Sequence, residues 1–274
     1  MIPDDLQAYH KTITDTYDMR SSNHDNSVWH RTTSLRLLEE LPPGPGDCVL
    51  DIATGTGTIA YRAAELVGQN GKVVGIDLSE GMLSQANAKL AASGLRNLEF
   101  VLADAENLMF PSSSFDRIYC ASAFFWILDP LAALKHWHNL LKPGGSLGFH
   151  ALPDTSYVYV REARRVLEDF GITYVLNTPT GTEIKCRKLL MEAGFHRIRI
   201  REEKHGHYIP LEHAKNAWIK EDDFSPGQYP NPLTNTSPDT VLQAQRDYEA
   251  RIEELNTDEG VWNDISMYYV YAEK

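Results

Sequence analysis

The sequence predicts an α/β protein, a three-layer sandwich in which helices cover both faces of a mostly parallel sheet of seven strands. From Cys48 onward, short apolar runs alternate with segments whose apolar residues recur at helical spacing, as in consecutive βαβ units. Turn residues lie at the joints, for example at residues 68–71 and 142–145. A length of 274 residues, 42% of them hydrophobic, suits one such domain with insertions.

The predicted strands are short apolar runs separated by helical segments. They are residues 48–52, 72–76, 98–102, 115–121, 146–150, 197–203 and 265–272. The predicted helices of the same region are residues 58–67, 81–92, 131–141, 157–170, 183–193 and 240–255. This alternation favours parallel pairing, because parallel neighbours need a long crossover connection.

Three regions are expected in the chain. Residues 1–46 form an N-terminal helical cap, and residues 47–204 together with 263–274 form the core. Residues 205–262 do not alternate like the rest, and they combine a Pro/Gly/Asn-rich stretch with a charged helical run. This segment is interpreted as a loop-plus-helix insertion that acts as a lid and binds substrate.

Composition excludes several classes of protein. Lysine and arginine total 26 against 38 acidic residues, a net charge of −12, so nucleic acid is not the expected partner. The longest nearly apolar stretch, residues 118–128, is far shorter than the roughly 20 residues of a membrane span. The first residues do not resemble a signal peptide, and a cytoplasmic protein is expected. The 3 cysteines form no CxxC pair, which disfavours a disulfide framework or structural zinc. A monomer and a homodimer both fit this composition.

The sharpest local signal is a strand, a glycine-bearing turn and a helix start within residues 49–60. Gly55, Gly57 and Ala60 satisfy the G-x-G-x-x-G/A fingerprint of dinucleotide sites. Asp77 follows at the distance of a ribose-binding carboxylate. This pattern alone fits a dinucleotide or another nucleoside ligand.

The carboxylate of Asp51 helps to separate these two ligands. It ends the first strand beside the turn, where the pyrophosphate of a dinucleotide would meet a like charge. A nucleoside with an ammonium group on its tail, such as S-adenosylmethionine, gains a counter-ion there. The alternative is that Asp51 only caps the turn or the helix.

Residues 48–150 resemble the class I S-adenosylmethionine-dependent methyltransferases, which implies a Rossmann-like sheet whose last strand is antiparallel. Residues 51–57 resemble the family's first motif, with Ala53 where glycine is commonest. Residues 75–79 resemble the second motif, whose acid binds both ribose hydroxyls, and residues 103–106 the third, whose aspartate meets the adenine amino group. Further likeness lies at residues 115–122 and 140–145.

The resemblance implies S-adenosyl-L-methionine as the cofactor and S-adenosyl-L-homocysteine as its product. The residues that the resemblance places against this cofactor are Tyr17, Asp51, Ala53, Thr54, Gly55, Thr56, Gly57, Asp77, Leu78, Met82, Asp104, Ala105, Glu106, Cys120, Ala121 and Ser122.

The cap region resembles the ubiquinone/menaquinone methyltransferase-like branch, which has a Tyr-Asp pair and later a His-Arg pair before the first strand. Tyr17-Asp18 and His30-Arg31 supply these pairs. The likeness places Tyr17 over the cofactor and suggests Tyr9 and His30 as wall residues of the site.

Methyl transfer needs an oriented acceptor more than a strong catalytic group. If a base is used, His150 at the carboxyl end of the fifth strand is the first candidate and His30 the second. The expected acceptor-binding residues are aromatic and are Tyr9, Phe125, Trp126 and Tyr157. Further aromatic residues of the later segments are Tyr159, Tyr174, Trp218, Phe224 and Tyr229. No metal is expected, because the end of the fourth strand lacks carboxylates.

These observations favour a methyltransferase that acts, without metal, on an O, N or C atom of a small apolar or aromatic metabolite of a specialised or quinone-like pathway. Two alternatives remain. One is a nicotinamide-dependent oxidoreductase that uses the same glycine turn. The other is a cofactor-binding protein that transfers no methyl group.

Overall fold

The computed structural model describes residues 4–174, 179–218, 233 and 236–274. The chain divides into two compact units. The first contains Met1–His150, Arg187–Arg201 and Tyr269–Lys274, and the second contains Ala151–Cys186 and Glu202–Tyr268. The first unit therefore includes the expected cap, and the second extends beyond the expected insertion.

Ten strands lie in the described part of the chain. They are β1 (Cys48–Ile52), β2 (Lys72–Asp77), β3 (Leu98–Leu102), β4 (Phe115–Cys120), β5 (Leu141–Ala151), β6 (His196–Glu203), β7 (Gly206–Ile209), β8 (Asn256–Thr257), β9 (Gly260–Asp264) and β10 (Met267–Glu273). Seven of them form one sheet in the order β3-β2-β1-β4-β5-β10-β6. The predicted α/β fold is confirmed.

Strands β1 to β5 pair in parallel, with Asp51 opposite Gly75 on one side of β1 and opposite Tyr119 on the other. Near the start of β5, the Gly144 N–H donates to the carbonyl of Lys274, the residue after β10, and the Lys274 N–H donates to the Gly145 carbonyl. Since the start of β5 thereby meets the end of β10, β10 runs antiparallel, as expected. The strand order reverses between β1 and β4, and ligand crevices of open α/β sheets form at such a point.

The described helices are α1 (Asp4–Arg20), α2 (Val28–Glu40), α3 (Thr58–Val67), α4 (Glu80–Ser93), α5 (Pro130–Leu140), α6 (Val158–Asp169), α7 (Glu183–Glu192), α8 (Leu211–Asn216) and α9 (Pro238–Glu254). Short 3-10 helices cover Ser21–Asn26 and Phe124–Trp126. Side-chain caps fix several helix starts, since Ser27, Ser79, Asp129 and Ser237 each accept from a backbone N–H of the first turn. We call α1, the first 3-10 helix and α2 the cap.

The core of the first unit is built on β1, in which every residue from Val49 to Ile52 is buried. A strand buried on both faces is typical of the centre of a parallel sheet. Trp137, Tyr119 and Phe149 are among the largest side chains completely removed from solvent. Burial of such rings contributes about 1.5–3 kcal/mol each.

The second unit contains a smaller sheet in the order β7-β9-β8. The interpretation of residues 205–262 as loop plus helix was therefore wrong in part: the helix is present as α9, and a sheet joins it. These strands have at most five residues, and β7 pairs with β9 across more than 50 residues, so no local pattern indicated them. The Pro/Gly/Asn-rich stretch lies mostly outside the described residues.

The other predicted boundaries differ little from the structure, except that β5 begins at Leu141 and not at residue 146. The Lys-Pro-Gly-Gly sequence predicts a turn, yet its glycines hydrogen-bond to the backbone of Lys274, directly after β10. In the described part of the chain, no helix combines the length and the apolarity that a membrane span requires.

Candidate functional site

The glycine turn follows β1 at the carboxyl edge of the sheet. Gly57 has φ +93°, and a Cβ added there would lie 2.8 Å from ring atoms of Phe100 and Tyr61. Only glycine fits this combination of backbone angle and close packing. Ala53 also has a positive φ of 53°, a conformation that costs a residue with a side chain some strain. The turn is thus held in a specific shape with its backbone close to neighbouring groups.

Asp51 lies beneath this turn and is 2% exposed. Its Oδ2 accepts from the Thr54 hydroxyl at 2.6 Å and from the Ala60 N–H at 3.1 Å. Burial raises the pKa of Asp51 to about 7, against the lowering effect of these two hydrogen bonds. Neither of these two partners, the Thr54 hydroxyl and the Ala60 N–H, carries a positive charge. A buried acid without a cation suits a site that receives an ammonium group from a ligand.

Asp77 ends β2 and connects it to the turn. One carboxylate oxygen accepts from the Gly55 N–H at 2.8 Å and the other from the Ser79 N–H at 2.9 Å. Burial raises the pKa of Asp77, and these N–H groups oppose the shift. Ser79 in turn caps α4 by accepting from the Met82 N–H at 3.0 Å. Two acids thus lie at the carboxyl ends of adjacent strands, as the sequence predicted.

The loop after β3 carries the predicted Asp104, Ala105 and Glu106. The Glu106 N–H donates to Asp104 Oδ1 at 3.0 Å, which closes a tight turn. The carbonyl of Ala105 accepts from the indole N–H of Trp137 at 2.9 Å. Burial raises the pKa of Glu106, although the N–H groups of Asp129 and Leu128 lower it. The loop is therefore fixed to helix α5.

At the end of β4, Cys120 is completely buried, and burial raises the pKa of its thiol. Its thiol therefore stays protonated and is no nucleophile. Ala121 and Ser122 follow it and are half-buried, and Ser122 has φ +53°.

His150 lies in β5 and is 1% exposed. Its Nδ1 accepts from the Ser122 N–H at 3.2 Å, and its ring meets Tyr269 edge-on at 4.7 Å. Because Nδ1 accepts a backbone N–H, the neutral ring carries its proton on Nε2. The sequence therefore placed His150 correctly at the end of the strand, while a catalytic role for it stays a prediction.

The cap contacts the predicted aromatic residues of the core. The Trp126 indole N–H donates to Tyr17 Oη at 3.0 Å, and the Tyr9 hydroxyl donates to the Trp126 carbonyl at 3.2 Å. Phe125 lies beside Trp126, with ring centroids 5.8 Å apart. Trp126 thus joins Tyr9, Tyr17 and Phe125 into one aromatic cluster.

Three further cap residues meet the cofactor motifs, and the sequence did not single them out for this site. Asp18 accepts from the Ser79 hydroxyl at 2.5 Å and from the Gly81 N–H at 2.9 Å. Asp25 accepts from the Thr56 hydroxyl and pairs with Lys89 at 3.0 Å. His24 has its Nε2 3.4 Å from the position of a Cβ at Gly55. These contacts bridge distant parts of the chain, so no local pattern indicated them.

His24 also stacks on the second predicted base, His30, with centroids 5.8 Å apart. Desolvation lowers the pKa of His30, and the charges of His24 and Arg20 lower it further.

Tyr157 belongs to the second unit, with Tyr159, Tyr174 and Trp218, whereas Phe224 and Tyr229 lie outside the described residues. Tyr157 has φ +59°, and its N–H donates to the Asp264 carbonyl at 2.6 Å. The next N–H, of Val158, donates to Asn263 Oδ1 at 3.1 Å. These bonds hold the start of α6 against β9.

Known proteins resemble the part of the chain that carries this site. Residues 49–145 match the family model described as a methyltransferase domain. Aklanonic acid methyltransferase DauC of Streptomyces sp. strain C5 is 35% identical over 144 residues, which are 52% of this chain and 66% of that protein. The ubiquinone/menaquinone biosynthesis C-methyltransferase UbiE of Coxiella burnetii is 43% identical over 143 residues, 52% of this chain and 57% of that protein.

Among solved structures, a SAM-dependent methyltransferase from Aquifex aeolicus superposes with a TM-score of 0.52 at 21% identity, over 70% of this chain and 92% of that chain. This likeness shows the fold. The chain spans less than two thirds of the length of the curated relatives it matches. Over the matched half, the predicted resemblance to class I methyltransferases of the UbiE type is confirmed.

Proposed function

We propose that the chain, with its methyltransferase domain at residues 49–145, transfers a methyl group from S-adenosyl-L-methionine to an O, N or C atom of a small apolar or aromatic metabolite. The observation that carries the proposal is the pair of acids around the glycine turn, Asp51 buried and Asp77 half-buried. The buried carboxyl of Asp51 would pair with a cationic group of a ligand. Asp77 lies at the end of the adjacent strand, where nucleoside sites bind a ribose. The relatives' names support the same class of reaction.

The residues present fit this cofactor. Asp51 would receive its ammonium group, Asp77 its ribose hydroxyls and Asp104 its adenine amino group. The turn from Ala53 to Gly57 would bring backbone N–H groups close to the ligand, and half-buried Leu78 would add apolar surface. Met82 is only 1% exposed and would act behind that surface. When bound, the cofactor supplies an electrophilic methyl group on a sulfonium sulfur.

The protein's own contribution is to orient the acceptor and to exclude water. Half-buried Tyr17, Phe125 and Trp126 offer aromatic surface that suits an apolar or aromatic acceptor, and their faces favour a nearby cation. Tyr9 is completely buried, so it supports Trp126 through its hydroxyl instead of facing the acceptor. Acceptor binding by Tyr157, which belongs to the second unit, stays a prediction from the sequence. This mechanism requires no metal ion.

The two histidines suit different tasks. With its proton on Nε2, His150 can donate a hydrogen bond to an acceptor oxygen more readily than it can remove a proton. His30 has a lowered pKa and is neutral at pH 7, so it can accept a proton. We therefore propose His150 as an orienting donor and His30 as the base where the acceptor must lose a proton.

The names of the relatives guide the choice of acceptors. DauC is named for aklanonic acid, and UbiE for ubiquinone and menaquinone biosynthesis. The chain should be incubated with S-adenosylmethionine carrying a trideuterated methyl group and, separately, with aklanonic acid, a demethylated quinone precursor or glycine. Mass spectrometry then detects labelled product.

We expect labelled product from an aromatic acceptor and none from glycine, and Asp77→Ala should abolish the signal. Labelled glycine would contradict the proposed acceptor class. Binding of S-adenosylmethionine without label transfer to any acceptor of the panel or of a cell extract would contradict methyl transfer itself.

A further inference from the structure

A single carboxylate joins the loop after β3 to the segment that precedes α5. Glu106 Oε2 accepts from the Leu128 N–H at 3.1 Å, and Oε1 accepts from the Asp129 N–H at 2.9 Å. Both oxygens are therefore directed at the backbone of that segment. Hydrogen bonds to an ionised acceptor are stronger than neutral ones, so this bidentate contact fixes the segment firmly.

Helix α5 itself has other attachments to the same loop. The Trp137 indole donates to the Ala105 carbonyl at 2.9 Å, and His136 Nε2 lies 3.0 Å from the Leu108 carbonyl. The Asp129 side chain also caps the helix by accepting from the Ala132 N–H at 2.9 Å. Loss of the Glu106 carboxylate should therefore release the residues before α5 and leave the helix in place.

The segment that Glu106 holds determines where Trp126 lies. Trp126 is two residues before Leu128 and contacts the cap through Tyr9 and Tyr17. Its ring lies edge-on to Tyr17, with centroids 5.9 Å apart. Trp126 is therefore held in two ways: Glu106 fixes the backbone that follows it, and Tyr9 and Tyr17 of the cap bond to it directly.

We infer that Glu106 is a positioning residue, whose carboxylate holds Leu128 and Asp129 and thereby sets Trp126 in the aromatic wall, instead of binding the cofactor. The inference rests on the proposed function in one respect, which is that this wall belongs to the acceptor site. It replaces the cofactor-binding role that family resemblance implies for Glu106.

The test compares Glu106→Ala and Glu106→Gln with a matched control, Asp129→Ala, which removes the cap of α5 and keeps the Glu106 contacts. Hydrogen exchange of the backbone amides is measured for residues 124–132, and binding of S-adenosylhomocysteine is measured by calorimetry. The fluorescence of Trp126 is isolated as the difference between each protein and its Trp126→Phe counterpart.

In Glu106→Ala we expect the Leu128 and Asp129 amides to exchange at least tenfold faster and the Trp126 emission to shift. The dissociation constant of S-adenosylhomocysteine should change less than threefold. Glu106→Gln should show a smaller effect, because its amide oxygen still accepts from one N–H. Asp129→Ala should accelerate exchange at Ala132 and leave Leu128 protected.

A tenfold loss of S-adenosylhomocysteine affinity with unchanged exchange at Leu128 would overturn the inference and make Glu106 a ligand to the cofactor. Unchanged exchange and unchanged emission would overturn it as well. If the wild-type protein binds no S-adenosylhomocysteine, the proposed function fails, while exchange and emission still decide what Glu106 does. If Glu106→Ala does not fold, the glutamine variant decides by the same criteria.

Discussion

Asp51 keeps its proton at a pH where most carboxylic acids have lost theirs, because burial raises its pKa to about 7. Its neutral form offers no counter-charge to a ligand's ammonium group. Affinity for S-adenosylhomocysteine should therefore rise as the pH rises from 5.5 to 8, by up to about tenfold per pH unit below the pKa. Calorimetric titrations across this range measure it. A flat profile in the wild-type protein would exclude Asp51 as the ammonium partner.

The same group has the opposite effect on the stability of the ligand-free protein. In the unfolded chain the carboxyl of Asp51 ionises near pH 4, whereas in the fold it ionises near 7. Between these values the folded state binds more protons, so the free energy of unfolding falls as the pH rises, by up to about 4 kcal/mol. Urea denaturation should show a larger loss in the wild-type protein than in Asp51→Asn, because burial also raises the pKa of Asp77 and of Glu106, which titrate in both proteins. A parallel loss in both would refute it.

Single residues also show what the sequence could predict of the site. Asp51 and Asp77 were found because each ends a strand beside a recognisable turn, and the structure places both there. Thr54 and Ala60, which bond to Asp51, and Ser79, which bonds to Asp77, all lie within nine residues of their acid in the sequence. The sequence did not indicate His24 and Asp25, because each meets the turn across 31 residues, through a tertiary contact that no short pattern encodes.

The glycine turn is the first element whose shape can be tested. In Gly57→Ala the new methyl group would meet Phe100 and Tyr61 at 2.8 Å, and the backbone would keep a φ of +93°. We expect a loss of at least about 2–3 kcal/mol in the free energy of unfolding, from strain and overpacking together.

The matched control for this turn is Gly144→Ala. Gly144 has φ +76°, but a Cβ there has no atom within 4 Å, so only the backbone strain of about 1 kcal/mol applies. Chemical denaturation of both variants separates the two costs. Equal losses would show that the packing against Phe100 and Tyr61 is not tight.

The cap is the second testable element, because Asp18 attaches it to the start of α4. Asp18→Ala removes the acceptor for both the Ser79 hydroxyl and the Gly81 N–H. Since a partly exposed hydrogen bond contributes about 1 kcal/mol, hydrogen exchange in residues 14–26 should accelerate by roughly two- to tenfold. Asp15→Ala is the control, since Asp15 pairs with the exposed Lys11 on the same helix. Equal acceleration in both variants would refute the attachment.

The bounds of a helix or strand were predictable where a nearby sequence pattern marks them, and not where long-range pairing sets them. Helix α3 and strands β1 and β3 have their predicted ends, because apolar spacing and turn residues mark them directly. The start of β5 was missed because its Pro-Gly-Gly sequence favours a turn, and pairing with Lys274 overrides that preference. The small sheet of β7, β8 and β9 depends on long-range pairing between short polar strands.

At the scale of the whole molecule, the positions of the residues proposed to bind the nucleoside were more predictable than those of the residues proposed to bind the acceptor. The nucleoside residues follow strands of one sheet, so strand order places them together. The acceptor residues proposed in the first unit come from α1 and from the 3-10 helix at Phe124–Trp126, and their arrangement depends on tertiary packing. The central claim of this account is that the glycine turn binds S-adenosylmethionine and not a dinucleotide, and one experiment can decide it.

That experiment is calorimetric titration of the protein with S-adenosylmethionine, S-adenosylhomocysteine and NADH in parallel, repeated with Asp77→Ala. We predict micromolar binding of both adenosyl ligands, no heat with NADH, and at least a tenfold loss of affinity in the variant, which lacks the acid proposed to bind the ribose and its bond to the Gly55 N–H. Binding of NADH alone would contradict the account and assign the glycine turn to a dinucleotide.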